Sequence, residues 1–208
     1  MLSDSPHSEF SPRARSSNRG FTLIELLMVI AIIMILAGIT FGISRGVQNA
    51  QARAAAKAEL AVIRQALEGY KLTHGDYPWT TDGDELAKAL MGWMKFNRTG
   101  TTISFDAVTA SDVPANGPKS FIDATKLNYS GILPAAATTA PGVGFFQDPW
   151  GNAYVYQYKT SGTGSWEVFG YHLYSKGGNS LDGTTVANTG VLTRPQSEDD
   201  VDNIYAGE

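Results

Sequence analysis

Three patterns of apolar and polar positions follow one another along the chain. From Phe21 to Ile43 almost every residue is apolar, and Glu25 is the only ionisable one. As a helix rising about 1.5 Å per residue, such a run is long enough to cross the roughly 30 Å hydrocarbon layer of a bilayer. From Arg45 to His74 there is no proline, and Ala, Gln, Glu, Lys and Leu dominate, all good helix formers. Leu60, Ile63, Leu67 and Tyr70 step by three and four, which marks one apolar face. Arg53, Lys57, Glu59, Arg64 and Glu68 keep the other faces wet. Gly75 after His74, with Pro78 soon after, supplies a stop. One long helix over residues 21–74 is predicted, transmembrane in 21–43 and laying its later stripe against a globular head.

The period then shortens. Asp82-Gly83-Asp84-Glu85 introduces a short helix with Leu86, Ala87, Leu90 and Met91 on its apolar side, and Asp82 or Asp84 is suited to cap it. Residues 92–146 are rich in Gly, Pro, Thr, Ser and Ala with only short apolar groups. Phe121-Ile122-Asp123 and Leu127-Asn128-Tyr129 read as short extended pieces, and Ala135 to Gly142 as an exposed loop. Asp148-Pro149-Trp150-Gly151 has turn composition. Tyr154, Tyr156 and Tyr158 then alternate with Ala153, Val155 and Gln157, and Trp166 to Tyr174 is again aromatic and β-prone. Two such runs around Ser161-Gly162-Thr163-Gly164 predict a hairpin. The expected fold class is α+β, a long N-terminal helix packed on a small antiparallel β-sheet head.

Composition narrows the function. About 160 residues lie outside the leader and the apolar run, enough for one compact domain. A net charge of −4 and a pI near 5.4 argue against a dedicated nucleic-acid surface, so no nucleic-acid partner is expected. Without cysteine there is no disulfide and no thiolate chemistry. His7, His74 and His172 are isolated, and neither a Gly-x-Ser-x-Gly nucleophile nor a phosphate loop is present, so no enzyme is expected. Trp150, Tyr154, Tyr156, Trp166 and Tyr171 fit core packing of a small sheet better than a strip for sugars. Gly38, Gly42 and Gly46 share a helix face, fitting either close helix packing or local loosening of the helix.

The segment before the apolar run carries Arg13, Arg15 and Arg19 and no apolar stretch. A secretory signal places its apolar segment before the cut and loses it. Here a cut after Gly20 discards the charged leader and leaves Phe21 as the new N-terminus of the helix. The arginines place the leader in the cytoplasm and the head outside, although Arg45 and Arg53 follow on the far side. A carboxylate at the bilayer centre costs about 2.5–3.5 kcal/mol on insertion scales. Glu25, near the end of the run, costs less but still needs a reason. A plain anchor with Glu25 snorkelling to the interface explains neither the leader nor the residues around it.

The string Gly20-Phe21-Thr22-Leu23-Ile24-Glu25 resembles the class III signal of type IV pilins and pseudopilins. The resemblance implies that a prepilin peptidase cuts after Gly20 and methylates the new amine of Phe21. It also implies that Glu25 pairs with the N-terminus of a neighbouring subunit during assembly. Further patches of the head are similar to the major pseudopilin of type II secretion systems. They are His74-Gly75-Asp76-Tyr77-Pro78, Thr80-Thr81-Asp82-Gly83 with Leu86 and Leu90, and Asp148-Pro149-Trp150-Gly151-Asn152 with Tyr154. Tyr174-Ser175-Lys176-Gly177-Gly178-Asn179 and Ser197-Glu198-Asp199-Asp200-Val201 look like two halves of that family's calcium loop.

By this resemblance the chain divides into a cleaved leader (1–20), the long helix (21–74) and a head (75–208). The head holds a variable segment (92–146) and a C-terminal calcium loop (174–204). The implied calcium ligands are Ser175 and Lys176, through nearby carbonyls, with Asn179, Asp182, Asp199 and Asp200; Asp202 is a further oxygen donor. Asn179 stands where an Asp is expected, which removes one charge, and the competing reading is a solvated acidic terminus. The implied function is a structural subunit of a type II secretion pseudopilus, a helical homo-oligomeric filament that helps move folded proteins across the outer membrane. Its partners would be the prepilin peptidase, an inner-membrane assembly platform with a cytoplasmic ATPase, and minor pseudopilins. Before assembly it would sit in the bacterial inner membrane as a single-pass protein with its head in the periplasm. A type IV pilus pilin for adhesion, motility or DNA uptake is the alternative, and a membrane-anchored enzyme or sugar-binding protein a third. The absent C-terminal Cys pair and the Asp-Pro-Trp-Gly motif disfavour the pilus pilin.

Overall fold

Helix α1 is continuous over Leu23–His74, as the two successive apolar patterns require. The computed structural model describes residues 20–193 and 202–207, with the side chains of residues 40–45 and of Ala110 left outside the description. The leader (1–19) and Asp199 and Asp200 therefore lie outside the described residues. The helix stops where Gly75 enters the left-handed region (φ 88°) and gives its N–H to the Lys71 carbonyl at 2.7 Å. A residue with a Cβ is strained there, so glycine ends the helix.

Contacts divide the chain into two compact units, one up to Arg45 and one from Gly46. In the first, Leu23, Leu26, Ile33, Met34 and Leu36 are all exposed. Among the described residues no helix is long and apolar enough to cross a membrane. The described apolar stretch ends at Ile39, whereas the expected span runs to Ile43.

In the second unit α1 buries the stripe read from the sequence. Leu60, Ile63, Leu67 and Tyr70 are almost completely enclosed, and Ala56 and Ala66 extend the row. Full burial of a large apolar side chain contributes about 1.5–3 kcal/mol. Helix α2 (Gly83–Leu90) follows with Asp82 as its cap, accepting the Asp84 N–H at 2.7 Å. Its Leu86, Ala87, Ala89 and Leu90 join the same core.

Among the described residues the strands form four small antiparallel sheets rather than the single sheet expected. β1 (Met94–Thr99) and β2 (Thr102–Ala107) make a hairpin with Phe96 opposite Phe105. Nothing in the composition of residues 92–146 had suggested it, yet Phe96 seats its ring 4.8 Å from that of Trp79. Residues 121–123 do not extend as a strand. Asp123 caps a 3₁₀ turn over Ala124–Lys126 instead, and the next strand is β3 (Asn128–Tyr129), paired with β4 (Phe146–Gln147). Of the expected exposed loop, residues 135–140 and Gly142 are exposed, but Pro141 is buried.

The central sheet contains β5 (Val155–Gln157), β6 (His172–Ser175) and β9 (Ile204–Tyr205), antiparallel in that order. The expected hairpin thus forms, but its second strand starts at His172 rather than Trp166. The Trp166 ring packs against Tyr158 and His172 and gives its N–H to the Gly170 carbonyl. β7 (Thr185–Val186) pairs with β8 (Leu192–Thr193) beyond. Tyr154 and Tyr156 are buried and Trp150, Trp166 and Tyr171 pack at the margin of the core, which is the core reading of these aromatics.

Candidate functional site

At the start of α1, Thr22 and Glu25 bond reciprocally. The Thr22 amide and hydroxyl both donate to Glu25 Oε2 at 2.9 Å, and the Glu25 amide donates to Thr22 Oγ1 at 3.3 Å. This is a capping box, which satisfies first-turn amides that have no partner inside the helix. Glu25 is the only ionisable residue from Phe21 to Ile43, and the sequence analysis missed that Thr22 hydrogen-bonds its carboxylate. The signal was present, as Thr-x-x-Glu at the head of an apolar run. Gly20 and Phe21 precede the box and are exposed.

A second constellation joins residues 148–152 to the segment after β6. Asp148 is fully buried. Its Oδ1 accepts the amides of Trp150 (3.0 Å) and Asn152 (2.8 Å), and its Oδ2 accepts the Ser175 hydroxyl at 2.6 Å. A buried carboxylate needs this satisfaction to avoid a large desolvation penalty. Ser175 Oγ in turn accepts the Gly177 amide at 3.1 Å, and the Asn152 side-chain amide donates to the Gly177 carbonyl at 2.9 Å.

Beyond Gly177 lie the residues expected to hold calcium. The Asn179 amide donates to Asp202 Oδ2 at 2.8 Å, while Ser197 to Val201, the expected second half of the loop, lie outside the described residues. Asn179 Oδ1 accepts the Leu181 amide at 2.8 Å. Asp182 accepts the Thr184 amide and the Tyr174 hydroxyl, and its Oδ2 lies 3.8 Å from Lys176 Nζ. Asp202 Oδ1 is buried without a hydrogen-bond partner among the described residues. A buried orphan carboxylate oxygen is costly, and a hard cation is one way to satisfy it. The donors are all oxygen, the type calcium takes. Among the described residues no group of three or more His, Asp and Glu stands close enough to hold a metal, and Asp199 and Asp200 lie outside them. The Ser175 hydroxyl is committed to Asp148, so only its carbonyl remains for an ion.

The end of α1 carries a third polar cluster. Asp76 accepts the Trp79 indole N–H at 2.9 Å and the Tyr158 hydroxyl at 2.8 Å, and pairs with Lys159 at 2.6 Å. Burial pushes its carboxyl up, but the bonds from Lys159, Trp79 and Tyr158 outweigh this and hold it below the usual carboxylate range. Glu59 takes the Tyr154 hydroxyl at 2.6 Å. Burial pushes it above the usual range, the Tyr154 bond opposes this, and the Asp148 charge adds to it.

A family model described as the prokaryotic N-terminal methylation motif matches residues 15–41, the stretch holding Gly20, Phe21, Thr22 and Glu25. The type II secretion system core protein G of Escherichia coli strain K12 is 29% identical over 143 residues, covering 69% of this chain and 74% of that protein. The protein of the same name from Aeromonas hydrophila is 28% identical over 65% of this chain and 69% of its own length. The chain is therefore similar to the pseudopilins in its methylation motif and along much of its length. A Klebsiella michiganensis core protein G is 36% identical over a shorter stretch, 33% of this chain and 49% of that protein. No solved structure matches. The chain's α+β architecture, a long N-terminal helix followed by small antiparallel sheets, is the pilin-like fold.

Proposed function

We propose that this chain is a pseudopilin, a structural subunit of a type II secretion pseudopilus. The observation that carries the reading is the methylation motif over residues 15–41, joined to the relatives named core protein G along two thirds of the chain. The relatives are named as core proteins of a secretion system, and the role proposed here is not enzymatic. Processing follows from the motif. A prepilin peptidase cuts after Gly20 and methylates the Phe21 amine, and the apolar helix remains as a single-pass anchor with the head in the periplasm. The anchor is residues 21–43, long enough as a helix to span the hydrocarbon layer.

Assembly moves this helix out of lipid into a helical bundle of like helices, so apolar burial is retained throughout. Glu25 then sets the register by pairing with the Phe21 amine of a neighbour, an attraction strengthened by dry surroundings. The platform, its cytoplasmic ATPase and the minor pseudopilins are the partners this process needs.

Calcium is part of the proposal. Asn179, Asp182, Asp199, Asp200 and Asp202, with carbonyls at Ser175 and Lys176, would hold it. The orphan Asp202 Oδ1 and the all-oxygen donor set support the fit. The ion would supply positive charge to a loop of carboxylates and so order the C-terminal segment. Lys176 Nζ, which faces Asp182, would then share that carboxylate with the ion.

Mass measurement on protein purified from membranes tests the processing. The mature chain should begin at Phe21 and be one methyl group heavier than its sequence, and Gly20→Val should keep the leader. A chain retaining Met1, or cut elsewhere, would refute the reading.

A further inference from the structure

The turn at residues 148–152 holds the arm of the proposed cation loop that leaves β6, around Ser175, Gly177 and Gly178, without any cation. Three contacts reach from this turn to the segment leaving β6. Asp148 fixes the Ser175 hydroxyl, and the Asn152 side chain holds the Gly177 carbonyl. The Trp150 indole lies so close to Gly178 that a Cβ there would meet its nitrogen at 3.0 Å. The opposite side of the same segment is closed by Asp202. A Cβ on Gly177 would meet the Asp202 carbonyl oxygen at 2.4 Å and its carboxylate at 2.7 Å, and Gly177 has φ 69°. Only glycine fits between these walls. Two residues on, the Asn179 amide binds the Asp202 carboxylate.

We infer that Asn152 is a positioning residue for the cation loop, acting through Gly177 to set Asp202 before the ion arrives. Asp148 and Ser175 are the buried base of the device, and Asn152 is the part that reaches the loop. The inference rests on the proposed calcium reading. It explains why a turn far away in sequence is built from Asp, Trp, Gly and Asn in that order. Asp accepts the turn's own amides, Gly151 takes the left-handed position (φ 89°) that closes it, and Trp150 and Asn152 face the glycine segment. Pre-ordering of donors lowers the entropy that binding must overcome and so raises affinity.

The test uses the full chain in detergent micelles, titrated with calcium and read by calorimetry, with melting followed in parallel in the calcium-free state. Asn152→Ala should weaken calcium binding roughly three- to tenfold, the effect of one hydrogen bond, while the calcium-free melting temperature barely moves. In the calcium-free wild type the Gly177 and Asn179 amides should already be protected from hydrogen exchange. A merely structural role for Asn152 predicts the reverse split, a lower calcium-free melting temperature with unchanged affinity, and that result overturns the inference. Free exchange of both amides in the calcium-free wild type overturns it too, without recourse to a variant. A wild type that binds no calcium removes the underlying reading instead, and that failure is visible before any variant is made.

Discussion

Glu25 Oε2 accepts both the amide and the hydroxyl of Thr22 at 2.9 Å, so the carboxylate in the apolar run already has partners within its own helix. This changes the energetic picture of an isolated subunit. A carboxylate in an apolar run needs hydrogen bonds wherever it sits, and the capping box supplies them within the single chain. The proposed pairing with a neighbour would then compete with a local arrangement rather than rescue a naked charge.

Removing the hydroxyl tests the box. Thr22→Ala should fray the first turn of α1, at about 1 kcal/mol for a lost cap. In micelles, amide exchange at Leu23 to Leu26 should accelerate roughly fivefold, and Thr22→Ser should restore it. Equal exchange in all three chains would show that the box contributes nothing.

Acid should act on Asp76. Its folded-state carboxyl titrates below its unfolded value, because Lys159, Trp79 and Tyr158 outweigh the effect of burial. The stability it contributes is therefore complete above the unfolded value near 4 and is lost as pH falls through the depressed folded value. Asp76→Asn should lower the melting temperature at neutral pH and flatten its decline below about pH 4. An acid limb of unchanged slope would show that Asp76 does not govern it.

Glu59 runs the other way. Burial raises its folded-state value, the Tyr154 hydroxyl opposing and Asp148 adding, so its contribution is most favourable when it is protonated and is lost as pH rises through the raised folded value. Glu59→Gln resembles the protonated form and keeps an acceptor for Tyr154 at 2.6 Å. The variant should melt higher than wild type at pH 7, with the gap closing towards pH 4. A variant less stable at pH 7 would mean that the charge itself is stabilising.

The two faces of α1 should respond unequally to truncation. Leu67 is wholly buried, whereas Leu72 is 88% exposed. Leu67→Ala should cost about 2–5 kcal/mol, and Leu72→Ala no more than about 0.5 kcal/mol. Denaturant melts of the two variants measure the difference directly, and similar losses would contradict the packing described.

Where a residue pattern repeats locally, the sequence foretold the structure. The stripe Leu60, Ile63, Leu67 and Tyr70 is buried as its spacing required, Gly75 ends the helix, and Asp82 caps α2. The β1–β2 hairpin escaped because its apolar residues are few and its stability comes from Phe96 meeting Trp79 across the core, a contact between distant residues. The start of β6 was misplaced by six residues for a related reason. Trp166 is β-prone by type, but its ring and indole N–H are satisfied by Tyr158, His172 and Gly170 in a loop. The Thr22–Glu25 box was legible and overlooked. The bonds of Asp148 and Asn152 to Ser175 and Gly177 were not legible, since nothing in a spacing of 25 or more residues announces them.

Filament yield tests the central claim, that Glu25 directs assembly of a secretion pseudopilus. In cells overproducing the secretion system, shear-released filament is compared with membrane-retained monomer for wild type and Glu25→Leu. The variant should be cleaved after Gly20 and inserted normally, since it replaces a charge with an apolar side chain in an apolar run. It should nevertheless stay in the membrane and release little or no filament. Wild-type filament yield from Glu25→Leu would contradict the account and leave Glu25 as a capping residue at the head of an anchor.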